Sequence, residues 1–165
     1  MRTDDFDYPL PAGRIAQEPL AERDASRLLQ VREDGGLEDR SFTELPELLR
    51  EKDLLVANET RVRRARLRGR DEGGRSVELL VLERRPEGSY LCLAKPGRLA
   101  APGAVIRIGP HLSATVSGPS GAHPGGRWVT FDTSDADAAI ELAGTAPLPP
   151  YIRTELRDPD RYQTV

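Results

Sequence analysis

The middle of the chain alternates short strand-forming runs with glycine- and proline-bearing breaks, and no helix-length segment separates them. The runs cover 62–70, 75–84, 89–94, 104–109, 112–117 and 127–132. Between them lie Glu72-Gly73-Gly74, Pro86-Glu87-Gly88, Lys95-Pro96-Gly97, Ala101-Pro102-Gly103 and the stretch from Pro119 to Gly126. Consecutive strands joined this tightly favour antiparallel pairing, because joining parallel neighbours needs a long crossover. Closing such a sheet on itself removes the unpaired edges that would otherwise invite association. The pattern therefore predicts a small antiparallel β-barrel over residues 62–146.

The flanks read differently. Arg27 to Arg32 has strand character, Asp34-Gly35-Gly36 supplies a tight turn, and Leu37 to Phe42 returns, which together make a hairpin. Ser41 or Thr43 can cap a helix over 43–50, where Leu45, Leu48 and Leu49 form one apolar stripe and Pro46 falls in the first turn. Leu54-Leu55-Val56-Ala57 is apolar on both faces and predicts a buried central strand. After the barrel, Ser134 is placed to cap a helix over 134–144 that Gly144 stops. Pro147-Leu148-Pro149-Pro150-Tyr151-Ile152 is a stiff extended exit. The expected fold class is a partial α/β (α+β-like) domain, residues 1–61 and 147–165, with the barrel inserted in it. One helix and one apolar strand make a thin core, so the rest of that domain is expected beyond residue 165.

Composition narrows the class. Hydrophobic residues make up 38% and glycine adds 15 more of 165, which suits a folded chain rather than a disordered one. The longest aliphatic runs, Leu54 to Ala57 and Leu79 to Leu82, fall far short of the roughly 18 residues a spanning helix needs. The start, MRTDDFDYPL, is acidic where a secretory signal would be basic and then apolar. No membrane partner is expected, and a soluble, cytoplasmic protein is.

The net charge of −3 conceals a segregation. Residues 1–60 carry 8 basic and 15 acidic side chains, residues 61–110 carry 12 and 5, and residues 111–165 carry 4 and 7. An anionic partner is to be sought on the basic middle. There Arg64, Arg66, Arg68 and Arg70 alternate with Ala65, Leu67 and Gly69. On a strand the four guanidiniums share one face about 7 Å apart, a spacing like that of successive phosphates, which guanidinium grips bidentately. A merely solvated face in an arginine-rich chain, where Lys52 and Lys95 are the only lysines, is the competing reading. Arg61 lies at the end of the apolar run, where α/β sheets bind ligands.

Familiar catalytic constellations are missing. His111 and His123, the only histidines, fall in turn-rich barrel sequence, and Cys92 sits in an apolar run that marks it as a buried, inert thiol. A lone cysteine excludes an internal disulfide and a cysteine-cluster zinc site.

Asp53-Leu54-Leu55-Val56-Ala57-Asn58-Glu59-Thr60-Arg61-Val62, followed by Ala65-Arg66-Leu67, resembles the signature of the S-adenosylmethionine:tRNA ribosyltransferase-isomerases of queuosine biosynthesis. Asp5-Phe6, Leu10-Pro11, Ile15-Ala16-Gln17, Glu22-Arg23, Arg27-Leu28-Leu29 and Phe42 agree in order, as do Pro147 to Ile152 and Tyr162-Gln163-Thr164-Val165. Arg63-Arg64 stands where the family has Ile-Pro, which lengthens the arginine ladder. The resemblance covers both ends of the chain, is weakest through the barrel, and corresponds to the N-terminal half of the family's proteins.

The resemblance implies an enzyme that moves the ribosyl group of S-adenosylmethionine onto the aminomethyl group of a 7-deazaguanine at the tRNA wobble position. The ribose is isomerised to an epoxycyclopentane, and adenine and methionine leave. S-adenosylmethionine is then a co-substrate, with no tightly bound cofactor, and the anticodon stem-loop of tRNA is the macromolecular partner. Asn58, Thr60 and Arg61 are the candidate substrate-pocket residues, with Tyr151 as a stacking face for a base. Arg64, Arg66, Arg68 and Arg70 are the candidate tRNA contacts. The family's histidine motifs follow the part matched here, so the chain alone is expected to be catalytically inactive. The alternative is a non-catalytic RNA-binding β-barrel module.

Overall fold

A computed structural model describes residues 2–121, 123–154 and 158–163. Two compact units make up the chain: Met1–Thr60 together with Pro149–Val165, and Arg61–Leu148. Among the described residues no helix is long and apolar enough to cross a membrane.

The second unit is a closed barrel of six antiparallel strands. They are β3 (Arg66–Arg70), β4 (Ser76–Arg84), β5 (Tyr90–Lys95), β6 (Val105–Ile108), β7 (Leu112–Pro119) and β8 (Gly126–Phe131), in the spatial order β3-β4-β5-β8-β7-β6. Period-two alternation sets the inside. Leu67, Val77, Leu79, Val81, Ile106, Ile108, Ala114, Val116, Val129 and Phe131 are buried. Tyr90 stands edge-on to Phe131 at 5.2 Å between ring centres. Irregular steps in β4 at Val81/Glu83 and in β7 at Val116/Gly118 bend those strands, as bulges do wherever a small sheet must curl shut. Cys92 is fully buried, as its apolar run predicted, and that burial pushes its thiol up to about 12.

The first barrel strand begins at Arg66 rather than at 62, because just ahead of it the Ala65 N–H turns back to the Arg63 carbonyl at 2.8 Å. The Arg66 N–H donates to the Thr145 carbonyl at 3.1 Å, and the Thr145 N–H returns to the Arg66 carbonyl at 2.9 Å. The chain's entry to the barrel is thus tied to its exit. Helix α2 (Ala136–Ala143) sits just before that exit and seats Ile140 in the core. It is capped by Asp135, whose Oδ1 accepts from the Ala138 N–H at 3.0 Å, and not by Ser134. Asp137 on the same helix accepts from Arg63 at 2.8 Å and from Arg84 at 2.6 Å. Arg63 first, then Arg84 and the Tyr90 hydroxyl, hold its carboxyl below the usual carboxylate range.

The first unit contains a hairpin, β1 (Arg27–Val31) paired with β2 (Leu37–Ser41), and a short helix, α1 (Leu45–Leu48). A single 3-10 turn (Phe42–Glu44) leads into α1, and Glu44 accepts from the Ser41 N–H at 2.7 Å. Pro46 stands in the first turn, and the helix ends two residues before the expected 50. Leu54–Ala57 corrects a sequence expectation. The segment is not a strand, and Leu54, Leu55 and Val56 are 87%, 65% and 83% exposed. Apolar character states that a segment gains by being covered, but a strand also needs a neighbour to satisfy its backbone, and no described strand pairs with this one. None of the described residues of this unit is fully buried.

Two local devices of the barrel have measurable consequences. A Cβ on Gly144 would lie 1.8 Å from the Arg64 carbonyl oxygen, so only glycine lets α2 end against the backbone entering β3. Gly144→Ala should cost about 1–3 kcal/mol in urea unfolding, whereas Gly121→Ala, with open space at its Cβ, should be close to neutral. The β3–β4 turn hangs on Asp71, whose largely buried carboxylate accepts from the Arg75 N–H and Nε, each at 2.8 Å. The Arg75 side chain holds that carboxyl below the usual range. A folded-state value depressed this way adds stability that is complete above the unfolded carboxylate value, about 3.9, and is lost as pH falls through the folded one. Asp71→Asn should therefore lower Tm at pH 7, and the gap to the parent protein should shrink as pH is taken below about 4.

Candidate nucleic-acid interface

The outward residues of β3 are Arg66, Arg68 and Arg70, with Leu67 and Gly69 turned inward, as the alternation predicts. Their surroundings make them unequal. The Arg66 Nε is 3.4 Å from Glu78, and its side chain is only 23% exposed. Arg64 lies ahead of the strand with its Nε 3.8 Å from Glu141. Arg70 donates to the Gly74 carbonyl at 2.7 Å and has no carboxylate partner among the described residues. Arg68 is exposed, and its side chain makes no ion pair among the described residues.

Register adds residues that the linear pattern did not single out. Glu78 on β4 is paired with Arg68 on one side and with Lys95 on the other, while Arg70 is paired with Arg107 of β6 and with Ser76. These two rows, Arg68–Glu78–Lys95 and Arg107–Arg70–Ser76, line an open groove of about 980 Å³ on the outside of the barrel. Lys95 and Arg107 are exposed and, like Arg68, make no ion pair among the described residues. Arg107 was legible in principle, as the one outward position between inward Ile106 and Ile108. Lys95 was not, because its place beside Glu78 depends on strand pairing.

Most other bases of the barrel are committed. Arg63 and Arg84 serve Asp137, and Arg75 serves Asp71. Arg85 lies 3.4 Å over the Trp128 ring, a cation–π contact. Arg127 donates to the Ala100 and Gly126 carbonyls, each at 3.0 Å. Arg98 borders a smaller concavity of about 330 Å³.

The expected substrate-pocket residues are distributed differently. Asn58 and Thr60 belong to the first unit and Arg61 opens the barrel unit. Asn58 shapes a turn, its Oδ1 accepting from the Thr60 N–H at 2.9 Å. The expectation that these residues follow the end of a central strand is corrected, since the segment before them is extended and exposed. Tyr151 is half exposed. Neither concavity of the barrel is lined by Asn58, Thr60, Arg61 or Tyr151.

What the structure shows around Tyr151 is a latch. The Gln17 Nε2 donates to the Tyr151 carbonyl at 3.0 Å, and the Gln17 Oε1 accepts from the Arg153 N–H at 2.8 Å. Arg23 donates to the Arg161 and Gln163 carbonyls, and Arg161 donates back to Leu20 and Ala21. The Ile15-Ala16-Gln17 and Glu22-Arg23 blocks therefore hold the returning end of the chain. Gln17 and Arg23 were visible in the sequence as motif residues, but only contacts across more than a hundred residues reveal their work.

Comparison with known proteins bears on the whole chain. The family described as "Queuosine biosynthesis protein" matches residues 3–165. A relative from Symbiobacterium thermophilum, named S-adenosylmethionine:tRNA ribosyltransferase-isomerase, is 47% identical over 169 residues, covering 100% of this chain and 49% of its own. A relative of the same name from Gloeobacter violaceus is 48% identical over 165 residues, covering 99% of this chain and 46% of its own. The crystal structure of an S-adenosylmethionine tRNA ribosyltransferase from Thermotoga maritima is 41% identical, covers 86% of this chain and 48% of its own, and superposes with a TM-score of 0.44. The chain spans about half the length of the curated relatives it matches. With the family's match running almost from end to end, the chain belongs to the queuosine biosynthesis protein family.

Proposed function

We propose that this chain is the N-terminal half of a cytoplasmic S-adenosylmethionine:tRNA ribosyltransferase-isomerase. In this reading it helps transfer the ribosyl group of S-adenosylmethionine to the 7-aminomethyl-7-deazaguanine of the tRNA wobble position. Isomerisation gives the epoxycyclopentane, and adenine and methionine are released. S-adenosylmethionine is a co-substrate rather than a resident cofactor. The observation that carries the reading is the match over nearly the whole chain, at 47–48% identity, to relatives that bear this name.

The domain arrangement in this reading is discontinuous: residues 1–61 and 147–165 form one domain and 62–146 an inserted barrel. Asn58, Thr60, Arg61 and Tyr151 contribute to the substrate pocket. The turn that Asn58 builds, with its Oδ1 on the Thr60 N–H, holds the signature's polar residues in a fixed order, and Tyr151 offers an aromatic face on a segment anchored by Gln17. Of Arg64, Arg66, Arg68 and Arg70, expected to meet the anticodon stem-loop, Arg68 and Arg70 are the contacts retained in this reading, since Arg64 and Arg66 each lie beside a carboxylate. Arg68 and Arg70 support this best, since neither has a carboxylate partner among the described residues.

The test joins this chain to the remaining half of the Symbiobacterium thermophilum relative and follows adenine release from S-adenosylmethionine with tRNA carrying the deazaguanine precursor. The fusion should turn over, and the 165-residue chain alone should not. Arg61→Ala in the fusion should lower kcat/KM by at least tenfold, equivalent to about 1.4 kcal/mol of transition-state stabilisation. tRNA binding without adenine release by a folded fusion would favour the non-catalytic RNA-binding module instead.

A further inference from the structure

The barrel's basic charge is much smaller in three dimensions than in the sequence, and what remains is concentrated. Arg63, Arg64, Arg66, Arg75, Arg84 and Arg85 each face a carboxylate. Arg68, Lys95 and Arg107 make no ion pair among the described residues, although Glu78 stands between Arg68 and Lys95 in register, and strand pairing gathers all three with Arg70 on one groove. The groove also holds Asp71, Glu72 and Glu78. Two of these are compensated from outside it, Asp71 by Arg75 and Glu78 by Arg66. Four cations then face one uncompensated carboxylate, Glu72.

We propose that the groove is a binding site for an RNA sugar-phosphate backbone that runs across the strands. Its contacts are Arg107 on β6, Arg70 and Arg68 on β3, and Lys95 at the end of β5. Arg64 and Arg66, nearer the start of the arginine run, do not line the groove, and each lies beside a carboxylate. The proposal deepens the tRNA reading above and rests on it for the identity of the polyanion.

Three features favour a backbone over other anions. The cations sit on strands of one sheet, which fixes their spacing: Arg107 and Arg70 about 5 Å apart on neighbouring strands, Arg70 and Arg68 about 7 Å apart along β3, and Lys95 about 10 Å from Arg68 across β4; an extended polyanion pays little entropy to match it. Three of the four are arginines, whose planar fork suits phosphate oxygens. No aromatic side chain lines the groove among the described residues, so the aromatic platform on which splayed bases stack is missing there. Contact limited to phosphates positions a nucleic acid without reading its sequence. Recognition here should therefore be strongly salt-dependent and indifferent to base identity.

The experiment titrates the 165-residue chain with a fluorescent anticodon stem-loop RNA between about 50 and 200 mM salt and repeats it with a stem-loop of scrambled base sequence. The two RNAs should bind alike. The double variant K95A/R107A should flatten the log–log salt slope by roughly 1.4–1.8 units, the loss of two phosphate contacts. R64A should leave the slope unchanged. E78Q, which removes the central carboxylate and releases Arg66, should tighten binding several-fold. All of these side chains are on the barrel surface, and matching circular dichroism spectra would verify that the variants are folded. An unchanged slope in K95A/R107A, or a loss of slope in R64A, would overturn the cross-strand track. So would equal displacement of RNA by polyglutamate, which would mark a surface for acidic peptides. Failure of the chain to bind RNA at all would also overturn it, while adenine release by the fusion would still stand as the separate test of the enzyme reading.

Discussion

The barrel closes along a seam between β3 and β6, and the seam depends on one missing side chain. Strand β3 already pairs with β4 over its full length, and it meets β6 through the single register pair Arg70↔Arg107. A Cβ on Gly69 would lie 2.6 Å from the Arg107 carbonyl oxygen and 2.7 Å from Ile106 Cγ2. Its absence lets Ile106 and Ile108 fill the interior directly beneath β3. The same approach places the Arg107 side chain beside Arg70 on the exterior. Closure of the core and assembly of the outer groove are thus one event, and neither can be altered there without the other.

Charge serves the fold on the opposite flank. Arg63 and Arg84 reach Asp137 from the lead-in to β3 and from the end of β4, and the Tyr90 hydroxyl shares the same carboxylate. This fastens α2, so that Ile140 can complete the core. Exposed ion pairs are individually weak, worth about 0–1 kcal/mol, and their effect here is to hold a geometry that the buried residues then stabilise. The cost to any partner is that these arginines are no longer available to it.

The barrel was largely legible because alternation is a local property. Leu67 and Gly69 on β3, Val77, Leu79 and Val81 on β4, and Ile106 and Ile108 on β6 all turn inward where a two-residue period puts them. The glycine-bearing breaks fell at the turns, with Gly74 and Gly88 at positive φ. Leu54–Ala57 was misjudged for the complementary reason. Its residues say that burial would be favourable, but a strand exists only where another backbone lies alongside, and that information is not in the segment. The latch made by Gln17 and Arg23 was likewise hidden, because a glutamine or an arginine in a motif carries no mark of which distant carbonyl it will meet.

For the candidate site the division is sharper. The sequence by itself determined that residues 61–110 are basic, that a barrel would carry them, and that alternate arginines of one strand would share a face; each follows from composition or from the pleat of a single strand. Only the tertiary structure decided which of those charges stay uncommitted. Arg66 is occupied because Glu78 stands on the adjacent strand, and Arg64 because α2 brings Glu141 to it. Arg107 and Lys95 join Arg70 and Arg68 because ring closure and the β4–β5 register bring them there. Charge is a property of a residue, whereas availability depends on which neighbours the fold supplies, and those neighbours come from strands and helices that are not adjacent in the chain.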